Sequence, residues 1–126
     1  MAFYDMKPSK FEAVGNVSYV YRWNIQEVEA PAQQEGEQRT QWQCEEVIIW
    51  APVTANKITE AVIEHTCPSS REQKLVNEYN GANLGVYGAK TSEAARAKIA
   101  AYTEFLTERK ALKEMVDADC AELGIL

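Results

Sequence analysis

The chain has 126 residues, 46% hydrophobic and 25% charged, with a net charge of −6. That length is one domain's worth, enough to bury a core without disulfide staples. The acidic balance argues against nucleic acid, whose phosphates need a positive surface, and against anionic membranes as partners. The three cysteines, Cys44, Cys67 and Cys120, form no CxxC pair, which predicts free thiols in a reducing compartment rather than a disulfide framework. No apolar h-region follows Met1, so no signal peptide is expected, and no stretch approaches a membrane span.

Residues 1–14 read as an arm in which Phe3, Tyr4, Phe11 and Val14 can pin the chain to its own body or to a neighbouring subunit. Gly15-Asn16 is a turn signal. After it, Val17, Tyr19, Tyr21, Trp23 and Ile25 alternate with Ser18, Val20, Arg22, Asn24 and Gln26, the period of a strand with one aromatic face. Pro31, Gly36 and the surrounding Gln/Glu residues, through Gln38, predict a solvated hairpin connection. A second strand runs from about Arg39 to Trp50. Thr40, Trp42, Cys44, Ile48 and Trp50 share one parity, which Glu46 interrupts, and the run Val47-Ile48-Ile49-Trp50 is apolar on both parities, so the end of this strand is expected to be buried on both sides by an extra strand or helix. An antiparallel hairpin would bring Trp23 and Trp42 to neighbouring positions on one face.

Pro52 ends the sheet. Thr54 is the expected N-cap of a first helix through His65 or Thr66, with Ile58, Ala61, Val62 and His65 on one stripe. Pro68 breaks it. A second helix restarts at Ser69 or Ser70, whose spacing to Glu72 or Gln73 suits a capping box, and it is expected to fail near Asn80-Gly81. Gly81, Gly85 and Gly88 mark a loop. Thr91 or Ser92 starts a long last helix to about Ala121, its stripe carried by Ala95, Ile99, Tyr102, Leu106, Val116, Cys120 and Leu123, with Phe105 and Leu112 beside it. Its charged outer face is that of a solvated helix. The narrow stripe fits packing within the chain, and it also fits packing against a partner helix.

Candidate chemistry is sparse. Cys44, His65, Cys67 and Cys120 are the soft ligands, and they lack the paired spacing of structural zinc. A Cys67–His65 nucleophile would need an activated thiolate and an orienting third group. Glu45 and Glu46, adjacent on a strand, point to opposite faces; Glu46 on the aromatic parity reads as the partner of Arg22 or Arg39, or as a carboxyl of raised pKa. The glycines at 81, 85 and 88 lack the Lys-Ser/Thr of a phosphate loop. Tyr19, Tyr21, Trp23, Trp42 and Trp50 would make a sugar-stacking platform if left uncovered, but helices that need a floor make core the better reading. No catalytic, cofactor-binding or metal-binding residue is assigned, no cofactor is implied and no enzyme is expected.

The stretches Tyr21-Arg22-Trp23-Asn24-Ile25-Gln26-Glu27-Val28, Gln41-Trp42-Gln43-Cys44-Glu45-Glu46-Val47, Ile58-Thr59-Glu60-Ala61-Val62-Ile63 and Glu72-Gln73-Lys74-Leu75-Val76-Asn77-Glu78-Tyr79-Asn80, with the closing Tyr102-x-x-Phe105-Leu106-x-x-Arg109, resemble small uncharacterised proteins of phages and prophages of gut anaerobes, often encoded among tail or other structural genes. The resemblance spans most of the chain from residue 17 onward. It implies context rather than mechanism: a host-cell cytoplasmic or virion location and protein partners, a second copy among them.

The fold expected is α+β, a single domain over residues 1–126: an arm (1–14) that can augment the hairpin, an antiparallel β-hairpin with an aromatic face (15–52), and a helical region (54–121) of two short helices and one long C-terminal helix packed on that face. The function expected is that of a non-enzymatic phage-type structural or accessory protein acting through protein–protein contacts and self-associating. The alternative is a small carbohydrate-binding module using the aromatic face. Contacts by the hairpin are expected at its tip, at Glu46 and along its unpaired edge, not over the indoles.

Overall fold

The arm turns out to be part of the sheet. In the computed structural model, which describes residues 1–31, 35–36 and 38–126, the arm supplies two short strands, β1 (Ala2–Tyr4) and β2 (Phe11–Ala13). They flank two long ones, β3 (Ser18–Ala30) and β4 (Arg39–Trp50), in an antiparallel sheet of order β1-β4-β3-β2. Helices α1 (Ala55–Thr66), α2 (Ser69–Asn83) and α3 (Glu93–Leu123) follow, so the fold is α+β. The expected hairpin tip includes residues 32–34 and 37, which lie outside the described residues.

The chain divides into two compact units, Met1–Ala61 and Val62–Leu126. In the first, β3 and β4 pair from Ser18↔Trp50 to Trp23↔Glu45 and again from Gln26↔Gln43 to Ala30↔Arg39. Between these runs two residues of β3, Asn24 and Ile25, stand against one of β4. This is a β-bulge, with Asn24 at φ 53. Asparagine tolerates this left-handed conformation better than a branched residue does.

The bulge corrects the expected faces. Directly opposed residues share a face, so Tyr19, Tyr21 and Trp23 lie with Ile49, Val47 and Glu45. Phe11 joins them opposite Tyr21, and its ring stacks on Tyr19 at 5.3 Å. The other face carries Val20, Arg22, Glu46, Ile48 and Trp50, with Trp42 opposite Glu27 on one side and Tyr4 on the other. Trp23 and Trp42 are therefore not a same-face pair, and the tryptophans divide between the two faces. The period-2 pattern expected through Ile25 stops at Trp23, because the extra residue moves Gln26 to the parity of Trp23.

In the second unit α2 and α3 run antiparallel. Tyr79 stacks on Tyr102 with ring centroids 4.6 Å apart, Arg109 Nη1 lies 2.9 Å from Glu72, and Lys98 Nζ lies 3.3 Å from Glu78. With 31 residues α3 is about 46 Å long, roughly twice the length of α2. Ser92 caps α3 as expected, accepting from the Ala95 N–H at 3.3 Å. The helix ends at Gly124, whose φ of 73 supplies the left-handed C-cap.

Three local expectations are corrected. Helix α2 runs through Gly81 to Asn83. Its N-terminus has no side-chain cap of its own; instead the Glu64 carboxylate accepts from the N–H and the hydroxyl of Ser69, the latter at 2.6 Å. On α3 the buried positions include Phe105, while Leu106 and Leu123 are exposed. Ala95, Val116 and Cys120 of the expected stripe are buried, with Phe105 beside it.

Candidate contact surface

Arg22 is the starting point, because it is the buried charge of the sheet, only 4% exposed. β1 and β2 lie on opposite edges, so residues 5–10 must cross β4 and β3 to connect them. They cross over the arginine face. The Arg22 N–H donates to the Lys10 carbonyl at 2.8 Å, Arg22 Nη1 donates to the Ser9 carbonyl at 3.0 Å, and Lys7 Nζ sits 5.6 Å over the Trp42 ring.

The guanidinium is almost fully engaged. Nε donates to Glu46 at 3.0 Å, and Nη2 reaches the Tyr4 hydroxyl at 3.2 Å and Glu12 at 2.7 Å. The Tyr4 hydroxyl in turn donates to Glu46 at 2.6 Å. Burial works against the arginine's charge, but the bonds to Glu12, Tyr4 and Glu46 outweigh it and hold its pKa above the ordinary arginine value. The Glu46 hydrogen bond, with burial, raises the Tyr4 phenol above 10.0.

Glu46 is therefore the direct cross-strand partner of Arg22, one of the two partners expected for it. With its donors spoken for by the chain's own acceptors, Arg22 works as a clamp that ties the N-terminal arm to the sheet. The sequence pattern marked Glu46 as an interruption. It did not mark Tyr4, Ser9 or Glu12, because their meeting depends on a crossover that no local period encodes.

The soft ligands are placed apart in character. Cys44, Cys67 and Cys120 are buried free thiols, and burial pushes each pKa up. That is the opposite of thiolate activation. His65 is exposed, not on the buried stripe of α1, which carries Ile58 and Val62. Cys67 lines a cleft of about 120 Å³ with Arg71, Leu75, Glu104, Phe105 and Glu108. Among the described residues no group of three or more His, Cys, Asp or Glu side chains is placed to hold a metal, and no helix is long and apolar enough to cross a membrane. Gly85 and Gly88, with φ of 81 and 93, serve the α2–α3 turn.

The aromatic rings divide by exposure. Tyr21 is fully buried and Trp23 nearly so, their rings stacked at 5.8 Å. Beyond the crossover the arginine face is buried at Val20 but exposed along β4. Trp50 is 63% exposed and Ile48 51% exposed, side by side on β4, so the strand end expected to be buried on both sides is buried on one, at Ile49, and among the described residues no strand or helix covers these two side chains. Exposed Val14 lies at the same end, where its N–H donates to the Ser18 carbonyl across from Trp50.

The sheet edge beside this patch is also open. β1 pairs with β4 across residues 42–44, and among the described residues no strand pairs with residues 45–50 of that edge. On the far side β2 covers residues 19–21 of β3. Large apolar side chains in water beside an unpaired edge are the usual features of a protein-binding surface.

No family model, no curated protein and no solved structure matches the chain.

Proposed function

We propose that the chain is a non-enzymatic structural or accessory protein of phage type that acts through protein–protein contacts and associates with itself. The observation that carries this reading is the Ile48–Trp50 strip, apolar, exposed and next to an unpaired edge of β4. Exposing an indole and a branched side chain together leaves apolar area in water that a contact would recover at about 25 cal/mol per Å². The resemblance to small phage and prophage proteins encoded among structural genes points the same way, to assembly rather than turnover.

The test is sedimentation equilibrium over a wide dilution series. A mass above that of one chain, falling on dilution and abolished in Trp50→Gln with unchanged circular dichroism, is the expected result. A single-chain mass at every concentration contradicts self-association.

A further inference from the structure

We infer that the partner of the open β4 edge is a second copy of this chain, joined by antiparallel pairing of residues 46–50 about a two-fold axis at Ile48. The inference rests on the self-associating reading above and names the surface that does it.

The backbone sets the geometry. The Ala51 N–H donates to the Val17 carbonyl at 2.8 Å, so residue 51 directs its hydrogen-bonding groups toward β3. In an antiparallel ladder the direction alternates along the strand. Residues 49, 47 and 45 therefore also face β3, and Glu46, Ile48 and Trp50 face outward. The same outward series continues into Cys44 and Trp42, which β1 occupies opposite Ala2 and Tyr4. Lys57 Nζ confirms the direction at the other end, donating to the outward Trp50 carbonyl at 3.2 Å.

The free edge is bounded at both ends. β1 stops it on one side. On the other, β4 ends at Trp50, and Pro52 offers no ladder donor. A second β4 laid antiparallel with the same face up must pair even with even residues: Ile48 with Ile48 of the second copy, and Trp50 with Glu46 of the second copy. Each outward N–H then meets an outward carbonyl, and β1, opposite residues 42–44, takes the positions of residues 52–54 of the other copy, past the end of that copy's β4 at Trp50, with the terminal residue Met1 alone abutting residue 51.

The side chains agree with this register. Ile48 packs on itself at the axis, and no like charges face each other across it. On the opposite face Val47 meets Ile49 of the second copy. Each Trp50 covers the stem of the opposite Glu46, whose carboxylate Arg22 already holds. Lys57, displaced from the Trp50 carbonyl by the incoming N–H, is left beside the Glu45–Glu46 pair of the second copy, opposite in charge. The exposed apolar side chains of this strand are the ones that become covered.

Two variants of the full chain test the proposal. Opposed residues of a hydrogen-bonded antiparallel pair have Cα atoms about 5.5 Å apart, inside the range a disulfide spans. Ile48→Cys is therefore expected to give a dithiothreitol-reversible covalent dimer in near-complete yield under mild oxidation. The native thiols, being buried, do not contribute. Leu106→Cys, exposed on α3, is the control and stays monomeric. Ile48→Lys places two like charges at the axis and is expected to halve the mass seen by light scattering, with circular dichroism and tryptophan emission unchanged. A wild-type dimer that Ile48→Lys leaves intact, or cross-linking at 106 and not at 48, overturns the edge pairing while self-association stands. A wild-type monomer at all concentrations overturns both.

Discussion

Arg22 shows what a single residue does in this sheet. Its burial is tolerable because four acceptors from four parts of the chain converge on it: Tyr4 on β1, Ser9 in the crossover, Glu12 on β2 and Glu46 on β4. Removing the guanidinium leaves Glu46 and the Tyr4 hydroxyl facing an emptied site. Arg22→Met is thus expected to destabilise the chain by about 2–4 kcal/mol in urea unfolding, and Glu12→Gln, at the solvated rim, by under about 1 kcal/mol. Equal losses for the two would show that the clamp is not centred on Arg22. Tyr4 reports the same cluster through pH. Its folded pKa lies above 10.0, so its contribution is complete below pH 10 and drains away as pH climbs from there through the folded value. A phenolate absorbance titration of wild type against Tyr4→Phe should find the missing tyrosine among the last to ionise; loss of an early-titrating one contradicts the hydrogen bond to Glu46.

At the scale of elements, two devices were hidden from the sequence pattern for different reasons. The period-2 run named β3 and β4 correctly, but a period cannot announce where a strand takes in an extra residue. Asn24 is read as one more polar alternate, and only its φ of 53 shows the bulge that sends Trp42 and Trp23 to different faces. Asn24→Gly should leave stability nearly unchanged, whereas Asn24→Val should cost about 1–3 kcal/mol through left-handed strain; equal thermal midpoints would refute the assignment. Helix α2 offers the second case. Ser69 was legible as a start signal, but its partner is Glu64, five residues back on α1, rather than Glu72 ahead of it. The Ser69 bonds lower the Glu64 pKa below 4.5. A depressed carboxyl stabilises above its unfolded pKa, and that contribution is lost as pH falls through the folded value. Glu64→Gln should therefore flatten the acid limb of the stability–pH curve below about pH 4.5, and an unchanged limb would assign that limb to other carboxyls.

For the molecule as a whole, the sequence pattern gives the fold class and the order of elements, because hydrophobic periodicity and capping signals are local. Two things escaped it. That the arm can augment the hairpin is legible in the sequence, but its two short strands are too brief to carry a period, so their bounds and their places on opposite edges, set by the crossover that Arg22 pins, are not. The open face followed from the register, since only the pairing of Ser18 with Trp50 puts Trp50 and Ile48 together beyond the crossover. The expectation named the unpaired edge and excluded the indoles; Trp23 is buried, but Trp50, at that edge, is exposed, so the proposed contact keeps the edge and takes in one indole. The central claim is that this stretch of β4 is a contact surface. Residue-resolved amide hydrogen exchange tests it most directly, through the outward N–H groups of Glu46, Ile48 and Trp50. The account predicts fast exchange of all three at low protein concentration and strong protection as concentration rises, with residues 47 and 49 slow throughout. Fast exchange at 46, 48 and 50 at every concentration would contradict it.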